Sequence, residues 1–347
     1  MSMARRNRAF CIALNLGIAL LLEGVGVPAV EASSTPSDVA GSRTAASGIS
    51  QPGSLAGLPQ LASAAGSSRS TRPRARRRRR AAPLRLPAVT QYGIPRLHVK
   101  AAYVFDATNN RVLFQKNSEQ VLPIASLTKL TTAMVFLGTN PDWDRVIEMV
   151  PEDIKNSSRT RIRAHEEITV RDLFHASIMS SDNAATKALV RTCGVPYNEF
   201  IFRMNLMADS LGLAGTHFVE PTGLNERNVS TAQDLARILW TATQSPVIQA
   251  IMQKTDYTFV SNRKLHQLIN TNRLLRSQWQ ITGGKTGFIR ESGYCLATKV
   301  KSPEGSDITA IVLGAPSNAL RFAEARRILD WTFRFGLTKV ETTPESE

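Results

Sequence analysis

Three short strings constrain this chain more than anything else in it: Ser126-Leu127-Thr128-Lys129, Ser181-Asp182-Asn183 55 residues later, and Lys285-Thr286-Gly287 a further 104 on. Each alone is weak, because a Ser three residues before a Lys arises by chance in most chains of this length. As an ordered set they specify a serine acyl-transfer site, so the fold has to bring three distant segments together.

The chemistry explains the residue types. A serine hydroxyl is a poor nucleophile at its free pKa and needs a nearby base. Spacing of i to i+3 on a helix puts Ser126 and Lys129 on one face, with Cβ atoms about 5 to 6 Å apart. Lysine can serve as that base only if its ammonium is destabilised, by burial or by a second cation such as Lys285. Ser181 would relay the proton toward a leaving amine, and Asn183 would orient a substrate amide and Lys129. Lys285-Thr286-Gly287 suits an edge strand: Lys285 brings charge, Thr286 a hydroxyl for a substrate carboxylate, and Gly287 lets an acyl group approach the backbone. The backbone N–H groups of Ser126 and Phe288 are the candidate oxyanion hole.

Around these strings the local patterns predict an α+β fold. Residues 101–116 read as a hairpin turning at Asn109-Asn110, since Asn tolerates positive φ. Gly293–Val300 and Ile308–Leu313 are β-rich runs, and Ala319–Phe333 has helical apolar spacing. Strands at both ends enclose a helical middle from about 126 to 253, in which Ser126 opens a buried helix and Ser181-Asp182-Asn183 sits where another helix stops. The expected architecture is an antiparallel sheet formed from both chain ends, covered by helices, with a mostly helical subdomain.

Before this domain the chain is different in kind. Residues 1–96 carry fourteen arginines against Glu23, Glu31 and Asp38, which is +11 of the total +15, so the basic pI describes the leader rather than the site. Arg5, Arg6 and Arg8 precede an apolar run from Ala9 to Leu22, and Val30-Glu31-Ala32 offers small residues for cleavage. That predicts an export signal over 1–32; the run is too short to span a bilayer core of about 30 Å comfortably, and whether the signal is removed stays open. Residues 33–95, rich in Ala, Ser, Pro and Arg, bury too little apolar surface to order and read as a linker. The Arg76–Arg80 run is a solvated charge run, with weak contact to anionic envelope polymers or lipid as the minority reading. The catalytic domain is expected over 96–336 and a polar tail over 337–347. Cys193 and Cys295 fit one disulfide or, more simply, two buried thiols. The histidine and cysteine spacings give no metal site, and no cofactor is called for.

Further strings carry a resemblance. Pro123-Ile-Ala-Ser-Leu-Thr-Lys, Pro221-Thr-Gly-Leu224, Ser230-Thr-Ala-Gln-Asp-Leu235 and Asn270-Thr-Asn272, together with the three motifs, resemble the low-molecular-mass penicillin-binding proteins, the D-alanyl-D-alanine carboxypeptidase and endopeptidase family, from about residue 100 to 335. The resemblance implies a β-lactamase/DD-peptidase-like fold and cleavage of a D-Ala-containing bond in peptidoglycan peptides through an acyl-enzyme on Ser126. It makes Lys129 the proton acceptor, places Ser181 and Asn183 in the second motif and makes Lys285 the substrate-binding lysine, in an exported protein of the periplasm or cell wall that β-lactams inhibit. Arg321 resembles an arginine that carboxypeptidases place near the substrate's terminal carboxylate, a surface arginine being the bland reading. Exo- and endopeptidase stay open. Two alternatives remain: a class A-like β-lactamase, whose E-x-x-L-N string Glu220-Pro-Thr-Gly-Leu-Asn225 misses by one residue, and a non-catalytic wall-binding protein that kept the fold.

Overall fold

The computed structural model describes residues 95–158 and 160–336. The expected signal, the linker up to residue 94 with its Arg run, and the polar tail lie outside the described residues.

Ala101–Asp106 (β1) and Arg111–Lys116 (β2) form the expected hairpin. Asn110 takes a φ of 52°, and Asp106 Oδ1 accepts the amides of Thr108 and Asn109 at 3.1 Å. After Leu122–Pro123 (β3), a 3-10 turn over Ala125–Thr128 carries Ser126, and only then does Lys129–Leu137 (α1) begin. The expectation that Ser126 opens the helix is thus corrected. Ala125 is pressed to a φ of 49°, and the carbonyls of Ile124 and Ala125 are taken by Leu127 N and Thr128 Oγ1, so the chain enters the helix through a tight turn.

The middle continues through Val146–Glu148 (β4), Pro151–Ile154 (α2), Glu167–Thr169 (β5), Val170–Met179 (α3), Asn183–Thr192 (α4), Tyr197–Ser210 (α5), Val229–Ser230 (β6), Ala232–Ala242 (α6) and Pro246–Gln253 (α7). It is mostly helical as expected, but two short ribbons, β3 with β6 and β4 with β5, cross it. Side-chain caps set several of the helix starts. Thr169, Asp182, Thr231 and Ser245 each accept a first-turn amide of the helix that follows. Asp256–Val260 (β7) and Leu265–Ile269 (β8) make a further hairpin, and a 3-10 turn over Arg273–Arg276 leads into Gln280–Ile289 (β9), Gly293–Lys301 (β10), Asp307–Ala315 (β11) and Asn318–Trp331 (α8).

The main sheet runs β2-β1-β11-β10-β9, antiparallel throughout, so both chain ends build it and β9 is an edge. Its alternation separates two cores. Ala101, Tyr103, Ala297, Ile311 and Leu313 pack with Leu235 and Leu239 of α6, while Ala102, Val104, Leu296, Val300 and Val312 pack with Phe322, Ile328 and Leu329 of α8. With both faces covered, β1 and β11 read as continuous apolar runs. Each fully buried large aliphatic or aromatic side chain there contributes about 1.5 to 3 kcal/mol. Cys193, at the end of α4, and Cys295, in β10, are free thiols; Cys295 is buried and Cys193 only partly so.

Candidate active site

The three strings meet. Lys129, fully buried, directs Nζ at three oxygens: Ser126 Oγ at 3.2 Å, Asn183 Oδ1 at 2.6 Å and the Thr222 carbonyl at 2.5 Å. Burial lowers its pKa to about 7, against the opposing charges of Glu220 and Asp182. An ammonium has three donors and no acceptor. When it loses one proton, Asn183 and Thr222 hold the remaining two and the lone pair is left facing Ser126 Oγ.

The second motif occupies the joint between α3 and α4, as expected. Ser181 sits at a φ of 63°, a conformation that costs a residue with a Cβ about 1 to 2 kcal/mol. The joint is fixed from both sides: Asp182 N donates to Ala176 O at 3.0 Å, and Asp182 Oδ1 caps α4 through Ala185 N at 3.1 Å. Thr160 Oγ1 holds the other carboxylate oxygen at 2.7 Å, and Asn183 Nδ2 donates to Ser157 O at 3.1 Å. Ser181 Oγ is thereby aimed at Lys285 Nζ, 2.7 Å away.

Lys285, Thr286 and Gly287 lie on the edge strand β9, where the sequence placed them. Lys285 is buried, and its pKa is pushed well below the usual lysine value by burial first, then by the charges of Lys129 and Arg321. Thr286 Oγ1 bonds Thr271 Oγ1 at 2.7 Å, and Thr271 N donates to Met179 O at 3.0 Å, tying β9 to the end of α3. A Cβ at Gly287 would stand 2.8 Å from Ile124 O and 3.1 Å from Ser126 N, so glycine is what lets the strand lie against the turn that carries Ser126. Phe288, half exposed, stacks on Tyr294 with ring centroids 4.1 Å apart.

Arg321 is not the surface residue of the bland reading. It lies buried between α8 and the sheet, and its Nη1 donates to the carbonyls of Gly287 at 3.0 Å and Cys295 at 3.3 Å. Burial lowers its pKa to about 10, which leaves it charged at neutral pH.

Sequence reasoning missed the loop that supplies the Thr222 carbonyl. Glu220 accepts from five donors: Thr222 N at 2.7 Å, Thr222 Oγ1 at 2.6 Å, Gly223 N, Asn225 N at 3.3 Å and Asn228 Nδ2 at 2.9 Å. Fully buried Asn228 also reaches Thr128 Oγ1 at 3.2 Å, and Thr132 Oγ1 donates to Pro221 O at 2.7 Å, so the loop is locked to the segment that carries Ser126 and Lys129. The string Glu220–Asn225 was conspicuous in the sequence, as a family string over Pro221–Leu224 and as a failed match to the β-lactamase pattern, but with no role for its carbonyls. A backbone carbonyl carries no residue signature.

The profile of the peptidase S11 family, D-alanyl-D-alanine carboxypeptidase, matches residues 88–317. A D-alanyl-D-alanine endopeptidase of Pseudomonas aeruginosa is 36% identical over 67% of this chain and 76% of its own length. Among solved structures, the Streptomyces K15 DD-transpeptidase superposes with a TM-score of 0.65 at 26% identity, over 70% of this chain and 99% of that one. Penicillin-binding protein D2 of Listeria monocytogenes in its cefotaxime-bound form gives 0.61 at 30% identity, over 69% of this chain and 98% of its own.

Proposed function

The chain belongs to the peptidase S11 family and is a serine DD-peptidase of peptidoglycan metabolism, and from that premise we propose that Ser126 is its acyl-ester nucleophile and Lys129 the proton acceptor. The observation that carries this reading is the three-oxygen cradle of Lys129 Nζ, which leaves a neutral amine's lone pair for Ser126 Oγ and for nothing else. Ser126 Oγ attacks the carbonyl carbon of a D-Ala residue as its proton passes to Lys129; the new C–O bond forms and the C–N bond breaks. The leaving amine takes a proton through Ser181, whose hydroxyl lies against Lys285. Water then cleaves the ester and restores the serine.

The amides of Ser126 and Phe288 suit the developing oxyanion, and Lys285 and Thr286 suit a substrate carboxylate. The contacts of Arg321 support a different role from carboxylate binding: it braces the Gly287 carbonyl from behind the edge strand. Glu220 counts against the β-lactamase alternative, because both its oxygens are committed to the loop's own donors and none is left to activate a deacylating water. The assembled nucleophile and base count against a non-catalytic wall-binding protein, which needs neither. Among the described residues no helix is long and apolar enough to cross a membrane, and residues 1–32 support export to the cell envelope. Ser-Asp-Asn in the second motif and the likeness to a named endopeptidase favour cleavage of cross-links over trimming of pentapeptides.

Fluorescent penicillin should label the purified protein and stay bound for minutes, with no label on Ser126→Ala. Rapid turnover of the penicillin would defeat the reading in favour of a β-lactamase. Mass spectrometry of digested sacculi distinguishes conversion of cross-linked dimers to monomers from release of D-Ala.

A further inference from the structure

Glu220 touches neither Ser126 nor Lys129, yet the base depends on what it holds. Among the described residues Lys129 Nζ bonds only Ser126, Asn183 and Thr222. Two of those are side chains fixed by the motifs. The third is a main-chain carbonyl in a loop that belongs to neither a helix nor a strand, and such a carbonyl keeps its direction only if the turn around it is tied.

We propose that Glu220 is a positioning residue for Lys129: its carboxylate gathers the amides of the 220–225 turn and so aims the Thr222 carbonyl at the Lys129 amine. The inference rests on the function proposed above for Ser126 and Lys129. Both oxygens take part, Oε2 holding Thr222 through N and Oγ1, and Oε1 holding Gly223, Asn225 and Asn228. Four of the five donors lie within five residues of Glu220 itself, so the carboxylate acts as the hub of its own turn. Asn228 then joins that hub to the nucleophile's segment, since its carbonyl accepts Ile124 N at 3.1 Å and its amide reaches Thr128 Oγ1. A turn of this kind built on a glutamine would lose two acceptor contacts at the least, because an amide nitrogen only donates.

Charge adds a second signature. Glu220 from the loop and Asp182 from the α3–α4 joint both favour the Lys129 ammonium, and Lys285 faces it from β9 with Arg321 behind; Tyr197, at the start of α5, feels Glu220 as well. Loss of the Glu220 charge and loss of the Thr222 acceptor move Lys129 in the same direction, toward the neutral amine at lower pH.

The test is the second-order rate of fluorescent-penicillin labelling as a function of pH, for the full chain and for Glu220→Gln and Glu220→Asp. In Glu220→Gln the plateau rate should fall about tenfold to a hundredfold, as for a displaced base, and the acid limb should move about one pH unit or more downward. Glu220→Asp keeps the charge and gives up reach, so its plateau should fall while its acid limb moves downward less than that of Glu220→Gln. A Glu220→Gln protein that loses rate with an unmoved limb would make Glu220 mere scaffolding and overturn the proposal. Should the glutamine variant not fold, an undiminished plateau in Glu220→Asp would overturn it alone. Failure of the unaltered protein to label at Ser126 would instead refute the proposed function.

Discussion

Gly223→Ala should disable the enzyme without altering any side chain that does chemistry. Gly223 has a φ of 83°, and a Cβ built there stands 2.0 Å from Ala125 O, 2.3 Å from Ala125 C and 2.7 Å from Ser126 N. To reach ordinary contact at 3.4 Å, the carbonyl would have to withdraw by about 1.4 Å. No flexible side chain can absorb that, because every atom struck is backbone of the turn that carries Ser126. The left-handed conformation adds about 1 to 2 kcal/mol for alanine. A displacement near 1 Å of a reacting group costs about a hundredfold in rate, so labelling of Ser126 by fluorescent penicillin should slow by about two orders of magnitude or more. Thermal melting of the same preparation separates this from unfolding. A folded Gly223→Ala protein that labels within threefold of the unaltered rate would refute the backbone-to-backbone packing of the 220–225 turn on the turn that carries Ser126.

With Lys129 held near 7, the ammonium must shed its proton before it can take one from Ser126, so labelling should rise with pH through about 7 and level off above. A rate that is flat from about pH 5 to 9 would remove Lys129 as the base. Arg321→Ala strips the donor from the Gly287 and Cys295 carbonyls and opens a gap beside Phe322 and Tyr294. It should cost about 2 to 4 kcal/mol, roughly 4 to 16 °C in Tm by calorimetry, and an unchanged Tm would show that the buried guanidinium does not brace β9.

The sequence and the structure agree best where a local rule has no competitor. Asn109-Asn110 could only turn a hairpin, the runs after Gly293 and Ile308 could only pair, and three motifs with fixed chemistry could only converge. Ser126 itself shows the limit: its helical periodicity with Leu130 and Met134 is real, but Ala125 takes a φ of 49° and the residue falls in the 3-10 turn that leads into the helix, with the Gly223 backbone packed against it. Tertiary contact overrode propensity there. The short ribbons β3–β6 and β4–β5 are two or three residues long per strand, too brief for any alternation to register. Arg321 reads as a charge on a helix, and only the sheet beneath α8 makes it a buried clamp. Glu220 was visible as a letter, but its partners are mostly amides, which every residue has.

The order of the main sheet has a consequence for when this enzyme first exists. β1 pairs with β11, Ala101 opposite Leu313, and β9, which carries Lys285, is held in the sheet by β10, itself paired to β11. Until Asp307–Ala315 is available, β1 and β10 each lack their central neighbour, and the loop that must close between them spans most of the domain. Ser126 and Lys129 emerge early in synthesis, well before the strand that carries Lys285. Chain order therefore sets a precondition: the strand that carries Lys285 and the hairpin that begins the domain share one sheet only once the last strand has been made.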